Sequence, residues 1–155
     1  MEMPRPTPTQ DKLLKLVGSW EGEEKVHPSP WDPRGGTARG KVTNRVGVGG
    51  FAVIQDYIQE RDGWPANFEG HGVFRYDAEL ASYLLHWFDS MGMAPNVYRG
   101  DFEEDVLTLT ADMQMGFSRA TFDLSRDKSY SFTMEVSGDG MEWTTFMEGT
   151  YRKTG

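Results

Sequence analysis

The sequence predicts an all-β fold: a barrel of about ten antiparallel up-and-down strands, with a short N-terminal helix plugging one end. Three observations lead there. From Trp20 onward, apolar and polar residues alternate with period two between turns rich in Gly, Pro and Asp, the pattern of strands with one buried face. No later helical segment is long enough for a parallel crossover, so successive strands run antiparallel. An open sheet of that size would leave two long unpaired edges, and closure removes them. At 155 residues, the chain suits one domain with a sizeable core.

Residues 1–10, with three Pro and two Thr, read as a flexible arm, and residues 11–155 as a single barrel domain. Asp11 to Val17 reads as the helix, with Leu13, Leu14, Leu16 and Val17 as its apolar face and Gly18 as its stop. The strands follow at about 19–26, 37–47, 51–61, 68–76, 82–89, 97–103, 106–112, 117–124, 129–137 and 142–152. Centring the second hairpin on Gly47–Gly50 sets Val46 opposite Phe51, Asn44 opposite Val53 and Val42 opposite Gln55. Arg39, Lys41, Thr43 and Arg45 then form the solvent face of strand two.

Carried round the sheet, the inward set continues with Tyr57, Gln59, Gly70, Gly72, Phe74 and Tyr76, then Leu84, His86 and Phe88. Tyr98, Gly100 and Phe102 follow, then Leu107, Leu109 and Ala111, then Ser118, Ala120 and Phe122. The last two strands contribute Tyr130, Phe132, Met134 and Val136, then Trp143, Thr145, Met147, Gly149 and Tyr151. Interior glycines at 22, 40, 70, 72, 100 and 149 favour a cavity over a solid core, although each can also mark a barrel corner. Loops 27–36, 62–67, 90–96, 113–116 and 138–141 share one rim, which makes that rim the mouth. It carries Trp31, Trp64, Met91, Met93, Met113 and Met115, side chains that adapt to apolar ligands.

Gly18, Trp20 and Gly22, in the segment GSWEGEE after a short helix, resemble the G-x-W opening of calycin (lipocalin-like) barrels. The same segment is similar to the start of nitrobindin, a ten-stranded haem-binding barrel, with Glu24 in place of the last Gly of its motif. The blocks Gly18–Pro28, Gly70–Asp77, His86–Pro95 and Phe146–Tyr151 resemble a bacterial family of domains of unknown function, number one-five-seven-nine. That resemblance implies a calycin-like barrel and carries no activity with it. The nitrobindin likeness implies haem, but that group draws its axial His from a late strand, and here no His follows residue 86. A haem would need His86 from another wall, or Met134 or Met147; no cofactor is therefore the reading, with haem the remote exception.

The net charge of −8 argues against a nucleic-acid partner. No apolar run is long enough for a membrane span, and MEMPRPTPTQDK lacks a signal-peptide core, so a cytoplasmic address is expected. The absence of Cys removes disulfides and thiolate chemistry. No nucleophile elbow, P-loop or dinucleotide fingerprint occurs, and the His spacing makes no metal motif.

In this register the lumen holds two titratable groups besides tyrosines, Glu24 and His86, which could act as general acid and base. The leading expectation is a binder of a small apolar or aromatic molecule, lined by Asn44, Gln55, Tyr57, Gln59, Phe74, Phe88, Tyr98, Met134, Trp143 and Met147. The alternative is a cofactor-independent cyclase or isomerase using the same cavity with the Glu24/His86 pair. A third reading takes the outward apolar residues Ile54, Ile58, Val73, Leu85 and Trp87 as a homodimer face.

Overall fold

The computed structural model describes residues 1–155 with the exception of Trp31. Its strands are β1 (Gly18–Val26), β2 (Gly36–Gly47), β3 (Ala52–Glu60), β4 (Phe68–Asp77), β5 (Ser82–Asp89), β6 (Asn96–Glu103), β7 (Val106–Met113), β8 (Gly116–Asp123), β9 (Ser129–Ser137) and β10 (Thr144–Lys153). Each pairs antiparallel with its neighbours in sequence, and β1 pairs with β10 to close the barrel. The predicted fold class and the division into a tight rim and a long-loop rim both hold.

The helix starts earlier than its apolar spacing predicts. Helix α1 covers Pro8–Asp11 and passes directly into a 3₁₀ segment, Lys12–Leu16. Pro8 opens α1, where its missing N–H leaves no bond unmade, and the Thr7 N–H donates to Gln10 Oε1 at 3.0 Å. With about three residues per 3₁₀ turn, Leu13 and Leu16 share one buried face while Leu14 is exposed. Residues 8–10 thus belong to the helix, and the Tyr83 hydroxyl donates to the Thr9 carbonyl at 2.5 Å. At the barrel floor one atom takes two bonds: the Leu16 carbonyl accepts from Trp20 Nε1 at 2.9 Å and from Asn44 Nδ2 at 2.8 Å.

The predicted faces hold on most strands and fail on parts of two. Between β2 and β3, Asn44 pairs with Gln55 rather than Val53, a displacement of two residues that leaves every side chain on its predicted face. Between β4 and β5, Tyr76 pairs with Tyr83 and Phe74 with Leu85, so even-numbered inward positions give way to odd-numbered ones. The turn holds the four residues 78–81, one fewer than the link the sequence reading assumed, with Ala81 at φ 49°. Tyr83, Leu85 and Trp87 therefore face inward, and Leu84, His86 and Phe88 face out. The next hairpin pairs Leu85 with Tyr98, which restores the predicted faces from β6 through β9.

On β10 a bulge falls between Thr145, opposite Glu135, and Met147, opposite Met134. Met147, Gly149 and Tyr151 keep their inward face, whereas Trp143 sits on the outer wall, its ring 4.0 Å from the Arg119 guanidinium. The predicted dimer face also loses two of its five members, because Leu85 and Trp87 lie against the core.

The interior glycines receive neighbouring groups and do not leave empty space. A Cβ on Gly100 would overlap the Thr108 carbonyl across the β6–β7 ladder, and one on Gly22 would overlap that of Thr150. The Trp87 indole lies over Gly70 and Gly72. Backbone cannot yield as a flexible side chain can, so Gly100→Ala should cost about 1–3 kcal/mol or more in urea unfolding. Gly138→Ala, where nothing lies within 4 Å, should stay within about 0.5 kcal/mol of the parent.

Candidate functional site

The lower half of the barrel, above the plug, is sealed by Trp20, Val53, Phe74, Leu107, Phe122 and Tyr130. Trp20 meets Tyr130 edge-on at 4.9 Å, and Phe74 meets Phe122 at 5.5 Å. Phe74 is therefore packed core, and Asn44 spends its amide on the plug. Its Oδ1 is buried without a partner.

Toward the long-loop end of β1, Glu24 is 2% exposed. A buried carboxylate is costly unless its oxygens are bonded. Three neutral donors meet it: Oε2 accepts from the Tyr57 hydroxyl at 2.6 Å and from the Tyr151 hydroxyl, and Oε1 accepts from Gln59 Nε2 at 3.0 Å. Gln59 Nε2 also lies 3.1 Å from the Tyr57 hydroxyl and 3.3 Å from Met147 Sδ. Glycines make the room: a Cβ on Gly40 would lie 2.5 Å from Glu24 Oε2, and one on Gly149 would lie 3.0 Å from the Tyr151 hydroxyl.

Burial and then the Glu24 charge push the Tyr57 and Tyr151 phenols well above their ordinary range. Tyr130 is raised for the same two reasons. Phenols held this way donate and do not serve as bases. A second polar chain crosses the wall opposite, where the Tyr98 hydroxyl donates to Ser118 Oγ at 3.1 Å and that hydroxyl to Met134 Sδ at 3.0 Å. Burial also raises Tyr98.

Toward the open rim the lining changes character. Gln59, Phe68, Trp87, Met134 and Val136 face inward but are only half-buried. Phe68 and Trp87 flank Tyr57, with ring centroids 6.1 and 6.3 Å from it. Asp89 shares the inward face of Trp87 two residues on and pairs with Gly70; its Oδ2 accepts from Trp87 Nε1 at 3.0 Å. Its Oδ1 accepts from the Met91 N–H at 3.0 Å and so caps the turn that follows β5.

Of the predicted lining residues, Tyr57, Gln59 and Met147 converge on Glu24, Tyr98 joins Met134, and Gln55 is buried between the two halves. His86, Phe88 and Trp143 lie outside the lumen. Trp64, Met91, Met93, Met113 and Met115 are exposed on the open rim, and Trp31 falls outside the described residues. Sequence reasoning missed Phe68, Trp87, Asp89 and Tyr151 as site residues. Trp87 and Asp89 were recoverable from Tyr83 and Leu85, which are as apolar as the alternates chosen on that strand.

His86 Nε2 accepts from Arg75 Nε at 3.0 Å on the outer wall, so its proton sits on Nδ1. The Glu24/His86 acid–base pair does not form, because the two side chains project from opposite faces of the sheet. Haem likewise lacks its imidazole. His27 reaches toward Glu148 outside, His71 is 2.8 Å from Asp56 on the outer face, and the lumen sulfurs Met134 and Met147 already accept bonds. The residues present do not fit a haem. Among the described residues, no group of three or more His, Cys, Asp and Glu is placed to hold a metal ion, and no helix is long and apolar enough to cross a membrane.

Fold and site together define a calycin-like barrel, plugged at one end, with a buried carboxylate inside and half-buried aromatic side chains toward the long-loop rim. The chain belongs to the family described as "Protein of unknown function (DUF1579)", whose model matches residues 5–153, as the sequence blocks implied. No curated protein matches it. Among solved structures, Rv2717c from M. tuberculosis is similar with TM-score 0.71 and 13% identity, over 96% of this chain and 99% of that one. The S-type phycobiliprotein lyase CPES from Guillardia theta gives TM-score 0.65 and 9% identity, over 97% of this chain and 99% of that one. At these identities the likeness is one of fold.

Tyr57→Phe removes one of two donors to Glu24 Oε2 and should cost about 1–3 kcal/mol in urea unfolding. His86 is held below its ordinary 6.5 by burial and then by Arg75. As pH falls, the unfolded chain takes that proton first, so stability declines through about 6.5 and below. NMR titration should find the His86 midpoint under 6.5, and Arg75→Met should raise it.

Proposed function

We propose that the open half of the lumen binds a small, largely apolar or aromatic molecule. One observation carries this reading: the helical plug covers the tight end, where Leu13, Leu16, Trp20 and Val53 are buried beside half-buried Tyr76 and Phe102, while the inward side chains near the mouth, Phe68, Trp87, Met134 and Val136, are all half-buried. A barrel that needed only to fold would close both ends alike. The Glu24–Tyr57–Gln59 network forms a polar floor to this chamber and orients whatever enters. That a phycobiliprotein lyase shares the barrel supports a ligand-handling role at the level of fold.

The test uses N-phenyl-1-naphthylamine, a neutral aromatic probe whose fluorescence rises in apolar sites. The parent protein should bind it at micromolar concentration (about −8 kcal/mol). Val136→Trp, which fills the chamber, should weaken binding at least about tenfold, roughly 1.4 kcal/mol. Trp143→Leu, on the outer wall, should leave it unchanged. No binding to the parent protein, or equal binding by Val136→Trp, would sink the reading.

A further inference from the structure

The charge inside the open half points to a class of ligand, an inference that rests on the lumen being the binding site. Two carboxylates face this chamber, Glu24 at its floor and Asp89 at its lip, and each is met by neutral donors. No Lys or Arg among the described strand residues of the open half projects inward: Lys25, Arg39, Lys41 and Arg119 all stand on the outer face. Of the two rim arginines, Arg61 is committed to Asp32 at 2.7 Å, to the Gly35 carbonyl at 3.0 Å and to the Trp64 ring at 4.4 Å, while Arg34 stands exposed on the outer loop 27–36.

Between the carboxylates stand the rings of Tyr57, Phe68 and Trp87. Phe68 is tilted 67° and Trp87 52° to Tyr57, so their faces form separate walls and not a stack. Ring faces carry negative charge and attract cations. A phenol donating to a carboxylate, as Tyr57 does to Glu24, has a more electron-rich ring, and an indole N–H bound to Asp89 pushes Trp87 the same way. Aromatic walls and acidic groups, with no Lys or Arg on the inward strand faces among the described residues, would repel a carboxylate ligand and leave a neutral one without electrostatic gain. The net charge of −8 adds long-range attraction for a cation.

We propose that the chamber selects an organic monocation, an alkylated amine or quaternary ammonium on an apolar body, over neutral or carboxylate molecules of the same shape. The ammonium sits among Tyr57, Phe68 and Trp87, with Asp89 closing the lip and the apolar body directed toward the Met-lined rim.

The experiment displaces N-phenyl-1-naphthylamine from the full-length protein with three competitors: phenyltrimethylammonium, its uncharged isostere tert-butylbenzene, and phenylacetate. The cation should compete at least about tenfold better than tert-butylbenzene, and phenylacetate should be weakest. Asp89→Asn keeps the size and the acceptor for Trp87 Nε1 while removing the charge, and should cut the cation's advantage several-fold. Trp87→Leu should cut it further, with folding checked by circular dichroism. If the probe binds but the cation competes no better than tert-butylbenzene, the proposal fails and the lumen reading stands. A cation preference untouched by both variants places the ammonium elsewhere and overturns the proposal as well. If the probe itself does not bind, the lumen reading fails and takes the proposal with it.

Discussion

A carboxylate removed from water without a cation beside it has to be satisfied by neutral donors. Glu24 imposes that condition on the whole barrel. It stands on β1, the strand that closes the sheet, and its donors come from β3 and β10, on either side of it. To admit the carboxylate and the Tyr151 ring, the strands flanking β1 carry Gly40 and Gly149 at the level where a side chain would collide. Those glycines weaken their strands locally. The bonds they permit cross the closure from β10 to β3, so side chains as well as the ladder define where the sheet ends meet.

Most of this arrangement was legible in the sequence, because a period-two pattern survives any register error of two residues. The β2–β3 hairpin illustrates it: pairing Asn44 with Gln55 moves every partner but no face. Errors of one residue are different, and both that occurred have local causes that composition does not reveal. On β5 each alternative set reads as a plausible interior, Leu84–His86–Phe88 or Tyr83–Leu85–Trp87, and only the length of the 78–81 turn decides between them. On β10 one bulged residue turns Trp143 outward onto Arg119 while Met147 and Tyr151 stay inside. A Trp beside a Thr-rich strand start carries no mark of that bulge.

The glycines show a subtler limit. Counting six of them inward was correct, but reading them as empty volume was not, since a missing Cβ is filled by whatever neighbour is largest. Trp87 covers Gly70 and Gly72, Glu24 fills the space at Gly40, and Gly22 and Gly100 let backbones approach across the ladder. The inward side chains near the long-loop rim, Phe68, Trp87 and Met134, are half-buried because of their place at the fold's end and not because of residue type.

The exchange of His86 for Trp87 and Asp89 on the inner face changes the chemistry the lumen can offer. With an imidazole inside, Glu24 would have had a partner able to carry a proton at neutral pH. With Trp87 and Asp89 there, every group bonded to Glu24 is a neutral donor, and the phenols among them are driven further from ionisation by burial and by the carboxylate itself. Such a network fixes the carboxylate in place, with Gln59 bonded to it and the Phe68 and Trp87 rings tilted against Tyr57. Under the proposal made above, a carboxylate behind aromatic walls recognises a ligand by its charge, a demand that packing a barrel floor does not make.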